Sequence, residues 1–145
     1  MKCVYCDLPE IKERTTFEND LAWAFPTNIP VVPGHMLICP KRHLDKLDDL
    51  TREELDAILD LRIKLKLALK KVFGAEGFNY AWNEGVSSGQ VVPHLHIHML
   101  PRKSGDIEII GYDPRETLYR PSGKRKVVTE EELIKVSSKI KEASK

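Results

Sequence analysis

The stretch HLHIHML at residues 94–100 places three histidines at every second position of the chain. Alternate side chains of an extended strand point to opposite faces, so His94, His96 and His98 would share one face and the apolar residues between them the other. On a helix the same side chains would spread around the axis, and no compact site would form. The spacing therefore predicts a strand that carries a row of imidazoles on one face.

The chain has 145 residues, of which 23 are basic and 22 are acidic. A chain of this length can bury its own core, so we expect one domain over residues 1–145, with a core up to about 106 and a tail at 107–145. The balanced charge gives no reason to expect nucleic-acid or membrane-surface binding. Because neither a signal segment nor an apolar run of membrane-spanning length is evident, the default expectation is a cytoplasmic location.

Turn residues divide the chain into short apolar or alternating segments that are typical of strands. Besides the histidine strand, we predict strands at residues 16–19, 21–25, 35–40 and 78–83. The loop EGVSSGQ at 84–90 leads directly into the histidine strand. A polar connection is expected at 102–128, which is long enough either to be mobile or to cover a site.

The segment 59–70 alternates like a strand, yet several features favour a helix. Thr51 and Glu54 form a capping box, and more than 20 residues follow without glycine or proline. We therefore predict a long helix over 51–73 that ends at Gly74. A second capping pair, Thr129 with Glu132, predicts a C-terminal helix, so the fold class is α+β with a mostly antiparallel sheet.

The apolar residues of the long helix are too many for a single buried face. Most of them form one broad face: Leu55, Ile58, Leu59, Leu65, Leu69 and Val72. Leu61, Ile63 and Leu67 fall partly outside that face, so a second apolar surface is implied. Because exposed apolar patches commonly mark interfaces, we expect a homodimer built on this helix.

The chemistry of the histidine row depends on its surroundings. A neutral imidazole can attack as a nucleophile, donate a hydrogen bond or bind a metal, so the row alone leaves a simple metal site open. Its context, SSGQVVPHLHIHMLPR at 87–102, adds serine and glycine amides, Gln90 before the strand and Arg102 after it. This combination is suited to holding a phosphate.

A second candidate site lies at the N-terminus, where Cys3 and Cys6 form a CxxC pair. The spacing suits two ligands of one tetrahedral zinc ion. A redox CxxC would stand at the start of a helix in a thioredoxin-like pattern, which is absent. The third cysteine, Cys39, lies on a predicted buried strand, where an inert core thiol is expected.

The motif HLHIHML fits every position of the histidine triad (HIT) family motif, His-φ-His-φ-His-φ-φ with φ apolar. The segments PVVPGHMLICPKRH (30–43) and GQVVPHLHIHMLPRKSGD (89–106) resemble the fragile-histidine-triad branch, whose members cleave dinucleoside polyphosphates. The resemblance covers about residues 16–106. It implies a HIT-like half-barrel sheet, and a homodimer that pairs the long helix and a strand across a two-fold axis.

The resemblance also implies roles for individual residues. Of the catalytic set His94, His96, His98 and His35, the middle histidine, His96, would attack the α-phosphorus and form a nucleotidyl-histidine intermediate. His98 would hydrogen-bond the phosphate, and His35 would support the nucleophile from behind. The implied substrate-binding residues are Gln90, Ser88 and Gly89 at the phosphate, Asn83 and Thr27 at the sugar, and Phe25 and Ile29 at the base.

Two positions depart from the family pattern. Val91 stands where many members carry serine or threonine to help protonate the leaving group, so Ser87, Ser88 or a water must serve instead, or the leaving group must need little help. Thr27 stands where an aspartate or asparagine commonly binds the ribose, and Asn28 is one place removed. Zinc-containing members use ligands that match Cys3, Cys6, His43 and His94, so the resemblance implies a structural zinc.

Together these features predict a nucleotide hydrolase or transferase that releases a nucleoside monophosphate, with an adenine nucleotide as substrate. Diadenosine polyphosphates are favoured by the branch resemblance. Two alternatives within the family are hydrolysis of nucleoside phosphoramidates and phosphorolysis of diadenosine polyphosphates. A different class of function, a nucleotide-binding regulatory protein, is also compatible with the long tail.

Overall fold

Five short strands form one open antiparallel sheet. A computed structural model of the chain describes residues 3–111, 113–114 and 127–145. The strand order is β1-β2-β3-β5-β4, and every neighbouring pair is antiparallel. The strands are β1 (Phe17–Glu18), β2 (Ala22–Pro26), β3 (Met36–Pro40), β4 (Gly77–Ala81) and β5 (Ile97–Arg102). This architecture confirms the predicted α+β class.

Helices cover both faces of the sheet. They are α1 (Val4–Asp7), α2 (Pro9–Glu13), α3 (Arg52–Phe73), α4 (Asp106–Ile110) and α5 (Glu130–Ala143). Within the described ranges, none of them has the length and apolar character needed to cross a bilayer. The long helix and the C-terminal helix pack against each other and against β2.

The ends of α3 confirm the prediction made from its capping residues. The Thr51 hydroxyl accepts from the Glu54 N–H, and the Glu54 carboxylate accepts from the Thr51 N–H. These contacts satisfy backbone donors that would otherwise be unpaired at the helix start. At the other end, Gly74 adopts a left-handed conformation with φ +66°, which suits a residue without a Cβ. Local signals thus outweigh the strand-like alternation of 59–70.

The larger core lies between the sheet and the two long helices. Its sheet residues alternate along the strands, and cross-strand partners such as Ala24 with Ile38 and Met36 with Met99 share this face. Ile58, Leu65, Leu69 and Ile140 from α3 and α5 fill the space above them. The opposite face of the sheet is left for the histidines.

The face of α3 differs in two places from the expected one. Leu61 is only 4% exposed and belongs to the core, whereas Leu59, which was expected in the core, is 41% exposed. Leu59, Ile63 and Leu67 follow one another at intervals of four residues, so they line one side of the helix. Ile63 and Leu67 are 51% and 61% exposed. The second apolar surface therefore consists of these three residues, without Leu61.

The N-terminal helices were not predicted, although Pro9 stands at the first turn of α2, a position that proline favours. Their buried side chains, Cys3, Tyr5 and Ile11, pack against the histidine face of the sheet beside Phe25 and Leu37. Because α1 has four residues and α2 five, neither shows a periodic pattern. These helices form a thin second layer over the site.

Three element boundaries also differ from the predictions. The ladder of β5 begins at Ile97, so only His98 of the three histidines lies in a paired strand, while Leu95 donates its N–H to the Leu44 carbonyl at 2.7 Å. Strand β4 ends at Ala81, two residues before Asn83. The helix α4 lies within the connection 102–128 that was expected to be irregular, and residues 112 and 115–126 of that connection lie outside the described part.

A buried carboxylate joins α3 to the turn after β3. Glu54 is 4% exposed, and its carboxylate accepts from the Arg42 guanidinium at 2.8 and 3.1 Å. The hydrogen bond from Arg42, strengthened by the contacts with Thr51, lowers the pKa of Glu54 to about 2. A carboxyl group whose pKa is depressed in the folded state stabilises the fold above its unfolded pKa and loses that contribution as the pH falls.

Replacing Glu54 with alanine removes the side-chain half of the capping box, the hydrogen bond from the Thr51 N–H, together with the ion pair to Arg42. We expect the free energy of unfolding at pH 7 to fall by about 1–2 kcal/mol, the size of a lost helix cap. The difference from wild type should shrink as the pH falls from about 4.5 towards 2, because Glu54 becomes protonated over that range. Urea titrations at several pH values measure this, with exposed Glu53→Ala as the matched control. A difference that stays constant with pH would contradict the assignment.

Candidate functional site

The histidine face of the sheet gathers four of the five histidines into one cluster beneath the N-terminal segment. The His96 and His98 rings lie 5.1 Å apart between centroids, and His35 lies at the same distance from His98. Tyr5 covers the cluster with ring contacts of 5.2 Å to His96 and 5.9 Å to His94. The predicted catalytic residues are therefore brought together.

The tautomer of His96 follows from its backbone contact. His96 Nδ1 lies 2.8 Å from the carbonyl oxygen of His94. A carbonyl oxygen only accepts hydrogen bonds, so the proton is on Nδ1 and the lone pair is on Nε2. Burial lowers the pKa of His96 below its ordinary value, although the contact with His94 opposes this effect. His96 thus carries an unprotonated Nε2, the form in which an imidazole can attack an electrophile.

A second chain of contacts assigns the protons of His35 and His98. The Val31 N–H donates to His35 Nδ1 at 3.0 Å, so His35 carries its proton on Nε2. That Nε2 lies 2.9 Å from His98 Nδ1, to which it donates. His98 must then hold its own proton on Nε2. One backbone amide therefore makes His98 a hydrogen-bond donor, next to a His96 that has a free electron pair.

The loop before the triad is organised by its own side chains. Gln90 is buried, and its Oε1 accepts from the Gly85 N–H at 2.8 Å while its Nε2 donates to the Asp45 carbonyl at 3.2 Å. The Ser88 hydroxyl donates to the carbonyls of Glu84 and Gly85. In this structure both side chains therefore form hydrogen bonds that stabilise the loop, whereas the resemblance implied that they bind the phosphate.

Gly89 ends this loop in a backbone conformation that residues with a side chain rarely adopt. Its φ is +97°, and a Cβ at this position would lie 3.8 Å from the Asn83 amide nitrogen. Gly89 and Asn83 are therefore neighbours in the structure. Val91, which follows the loop, is 86% exposed.

The residues expected at the sugar and base lie mostly behind the surface. Phe25 is completely buried, with Tyr5 at 5.4 Å on one side and the Arg14 guanidinium 5.6 Å above its ring. The Thr27 hydroxyl accepts from the Ile29 N–H at 3.3 Å, and Ile29 itself is partly exposed. Phe25 thus supports the wall of a site, and it does not present its ring to a ligand.

A cavity of about 290 Å³ is lined in part by Tyr5, whose ring contacts His94 and His96. This volume is close to the lower end of the range for small-molecule sites. Its apolar lining comes from the N-terminal helices together with Leu37 and Val92, and its polar lining comes from Glu10, Arg14, Asn28 and Glu130. Sequence reasoning missed Tyr5, Arg14 and Glu130, and it placed Asn28 one position away from the ribose site.

Cys3, Cys6, His43 and His94 converge, so these residues could hold a metal ion. Their ligand atoms all lie within 4.8 Å of one another. His94 Nδ1 is 3.5 Å from the Cys3 sulfur and 3.3 Å from the Cys6 sulfur, and His43 Nδ1 is 3.6 Å from the Cys6 sulfur. The four residues span α1, the turn after β3 and the approach to β5.

His94 is oriented for this role by the neighbouring strand. Its Nε2 donates to the Pro40 carbonyl at 2.8 Å, which leaves the lone pair on Nδ1, directed at the two cysteines. Burial lowers the pKa of His94, so the neutral ring is favoured. Cys39 stands apart from the cluster, completely buried, and burial raises the pKa of its thiol, as expected for a core residue.

Comparisons with known proteins agree with this geometry. A family model described as HIT domain matches residues 8–105. The chain is 35% identical over 105 residues to the bis(5'-nucleosyl)-tetraphosphatase [asymmetrical] of Schizosaccharomyces pombe, covering 72% of this chain and 58% of that protein. It is 33% identical over 126 residues to the bis(5'-adenosyl)-triphosphatase of Dictyostelium discoideum, covering 86% and 81%.

A solved structure is similar over nearly the whole chain. It is a Zn-bound histidine triad family protein from Mycobacterium smegmatis, with a TM-score of 0.72 and 25% sequence identity. The match covers 99% of this chain and 94% of the other. The similarity therefore includes the N-terminal cysteines and the C-terminal helix, which lie outside residues 8–105.

Proposed function

This chain belongs to the HIT domain family, and on that premise we propose that it cleaves a dinucleoside polyphosphate at the α-phosphate through a nucleotidyl-histidine intermediate. The observation that carries the proposal is the pair of opposite tautomers in the triad. His96 has an unprotonated Nε2, and its neighbour His98 has a protonated one. A nucleophile beside a donor is the arrangement that phosphoryl transfer to an imidazole requires.

In the first step, His96 Nε2 attacks the α-phosphorus, and the bond from that phosphorus to the bridging oxygen breaks. The nucleoside polyphosphate leaves with the bonding electrons, and the nucleotidyl group is then held by a P–N bond. The His98 Nε2–H donates to a non-bridging oxygen and stabilises the charge that gathers there. The proton on His96 Nδ1 stays paired with the His94 carbonyl, which supports the positive charge on the imidazole.

In the second step, a water molecule attacks the same phosphorus, the P–N bond breaks, and a nucleoside monophosphate is released. The electron pair returns to His96 Nε2, so the resting state is restored. The leaving group of the first step is a phosphate oxygen, whose second pKa is about 6, and it therefore needs little protonation at neutral pH. This accounts for Val91, which brings no hydroxyl to the site.

The substrate class is supported by the activities of the two relatives described above, one a tetraphosphatase and the other an adenosyl triphosphatase. We propose an adenine dinucleotide on this basis. The deciding assay offers purified protein diadenosine triphosphate, diadenosine tetraphosphate and an adenosine phosphoramidate, with and without added phosphate. AMP released from the dinucleotides supports the proposal, phosphate-dependent ADP indicates a phosphorylase, and faster phosphoramidate cleavage indicates the other alternative. Binding without turnover indicates a regulatory protein.

Replacing His96 with glycine should abolish turnover, with kcat falling at least about a thousandfold, because the nucleophile is lost. AMP binding measured by calorimetry and the Tm should stay close to wild type. Rapidly quenched wild-type reactions should contain a chain that carries one adenylyl group by mass spectrometry, and the variant should not. Turnover within about tenfold of wild type would exclude His96 as the nucleophile.

We also propose that the metal held by Cys3, Cys6, His43 and His94 is a structural zinc. Two ligand atoms on a zinc tetrahedron, with Zn–S near 2.3 Å and Zn–N near 2.0–2.1 Å, lie about 3.5–3.6 Å apart. The sulfur–nitrogen distances of 3.3–3.6 Å fit this geometry. Two thiolates and two imidazoles are a preferred zinc donor set. When bound, zinc would supply a cross-link that holds the N-terminal segment over the triad.

Purified protein should carry about one zinc per chain, measured by plasma mass spectrometry. The double variant Cys3→Ser and Cys6→Ser should lose the metal and unfold at a Tm at least about 10 °C lower, because metal binding contributes folding free energy. Cys39→Ala is the matched control, since this thiol is buried outside the cluster, and it should keep its zinc. Metal-free wild-type protein with the same Tm would disprove the site.

A homodimer is proposed for the surface formed by α3 and the sheet edge. The stripe of Leu59, Ile63 and Leu67 is exposed, and β4 is an edge strand that carries Tyr80 at 37% exposure. Arg62 joins the two elements, because its guanidinium lies 5.8 Å from the Tyr80 ring centroid. A second copy related by a two-fold axis would cover the apolar stripe and the open strand edge together.

Placing a charge in this stripe duplicates it across the two-fold axis, so Ile63→Glu and Leu67→Glu should convert the dimer to monomer. Both residues are more than half exposed, so the chain should stay folded. Light scattering with size exclusion should give twice the chain mass of 16.6 kDa for wild type and about that mass for the variants. Ile134→Glu, at a 39% exposed isoleucine of α5, is the control that should remain dimeric. Monomeric wild type at micromolar concentration would refute the proposal.

A further inference from the structure

The cavity beside His96 is closed by a contact between the two ends of the chain. Tyr5 lines this cavity and also contacts the His96 ring, so the cavity and the proposed nucleophile share this side chain as a common wall. Most of the lining is apolar, as a flat heterocyclic base requires. The polar lining comprises Glu10, Asn28 and the pair formed by Arg14 and Glu130, which are 116 positions apart in sequence.

This ion pair is incompletely satisfied. Arg14 Nη1 donates to Glu130 Oε1 at 2.6 Å, and the Arg14 side chain is only 6% exposed. Arg14 Nε and Glu130 Oε2 are shielded from water, and neither has a hydrogen-bond partner within the described part of the chain. Buried polar atoms without partners are rare in folded proteins, because each one loses its hydration without replacement. One donor and one acceptor therefore remain at the cavity wall.

A ligand can reach these atoms because Glu130 stands at the rim. Its side chain is 41% exposed, so the carboxylate can rotate towards the cavity while Arg14 stays packed over the Phe25 ring. Arg14 itself is held from below by that ring and from the side by Glu130. The pair thus combines a fixed cation with a carboxylate that is free to adjust to what it meets.

The start of α5, which carries Glu130, is held beside the cavity by a backbone hydrogen bond. The Val128 N–H donates to the Asn28 carbonyl at 2.8 Å, which ties the segment before the helix to the cavity wall. Further along, the Ser137 and Thr16 hydroxyls are 2.7 Å apart in the core. Glu130 lies beyond residues 8–105, the segment that matches the family domain. The carboxylate is therefore added to the cavity by a segment outside the shared domain.

We propose that the Arg14–Glu130 pair selects the base of the nucleotide, with Glu130 Oε2 accepting from the exocyclic amino group of adenine and Arg14 Nε donating to the adjacent ring nitrogen. This proposal rests on the proposed function, since it requires a nucleotide at His96. Adenine presents one donor and one acceptor on this edge, which matches the two unpaired atoms. Guanine carries a carbonyl oxygen where adenine carries this amino group, so in the same pose it would direct an acceptor at the Glu130 carboxylate.

The test compares AMP with purine riboside 5'-monophosphate, which is identical except that the amino group is absent. Calorimetry should show that wild-type protein binds AMP about tenfold more tightly, the size of one hydrogen bond to a charged group. Glu130→Ala should bring the two affinities within about twofold, because the acceptor is gone. Glu131→Ala, in the same helical turn, removes an equal charge and should keep the wild-type ratio.

A purely structural ion pair would give a different pattern. Glu130→Ala would then weaken both ligands equally and leave their ratio at the wild-type value, and this result would overturn the proposal. Equal affinities in the wild type, or no binding of either nucleotide, would also overturn it. If Glu130→Ala does not fold, Glu130→Asp keeps the charge but shortens the reach, and it should lower the ratio in the same assay. An unchanged ratio in Glu130→Asp would count against the proposal.

Different results would refute the proposed hydrolase activity and the proposed base selection. A protein that binds AMP selectively but cleaves no nucleotide would refute the hydrolase and leave base selection intact. A protein that cleaves dinucleotides while Glu130→Ala leaves the AMP ratio unchanged would refute base selection alone.

Discussion

The contact between the His94 carbonyl and His96 Nδ1 is the one on which the rest of the site depends. It decides which nitrogen of His96 has a free electron pair, and it does so with a backbone atom that cannot lose a proton. The side chain of His94 donates a hydrogen bond from Nε2 to the Pro40 carbonyl, and its Nδ1 faces the sulfur atoms of Cys3 and Cys6. His94 therefore contacts strand β3, belongs to the four residues that could hold a metal ion, and fixes the tautomer of His96.

This arrangement is possible because the sheet is asymmetric. One face is covered by the long helix and the C-terminal helix, which bury a large apolar core. The other carries α1 and α2, of four and five residues, with Cys3, Tyr5 and Ile11 buried in or beside them, and Ile110 of α4 packs against Leu100 further along the sheet. Helices this short have little stability of their own. A cluster of metal ligands is the kind of cross-link that such a layer needs, which explains why two of the four candidate ligands lie in or beside α1.

The parts of the fold that local chemistry determines could be predicted from the sequence. The capping box at Thr51 and the glycine at 74 define α3, and the spacing of the histidines predicts their common face. The sequence does not show which of Leu59 and Leu61 is buried, because both lie near the boundary of the helix face. The packing of α3 against β2 and α5 decides it. The pairing of Arg14 with Glu130 joins the chain ends, and no local pattern indicates such a contact.

The division of labour along the chain follows from these constraints. Residues that must hold atoms at fixed positions, the histidines and the loop at 84–90, are determined by backbone contacts inside the segment that matches the family domain. The C-terminal segment lies outside the matched residues, and in the part of it that the structure describes, Glu130 reaches the cavity wall. If Glu130 selects the base as proposed, changes in that segment would alter what the cavity accepts without moving His96 or His98. Selectivity and chemistry would then vary independently.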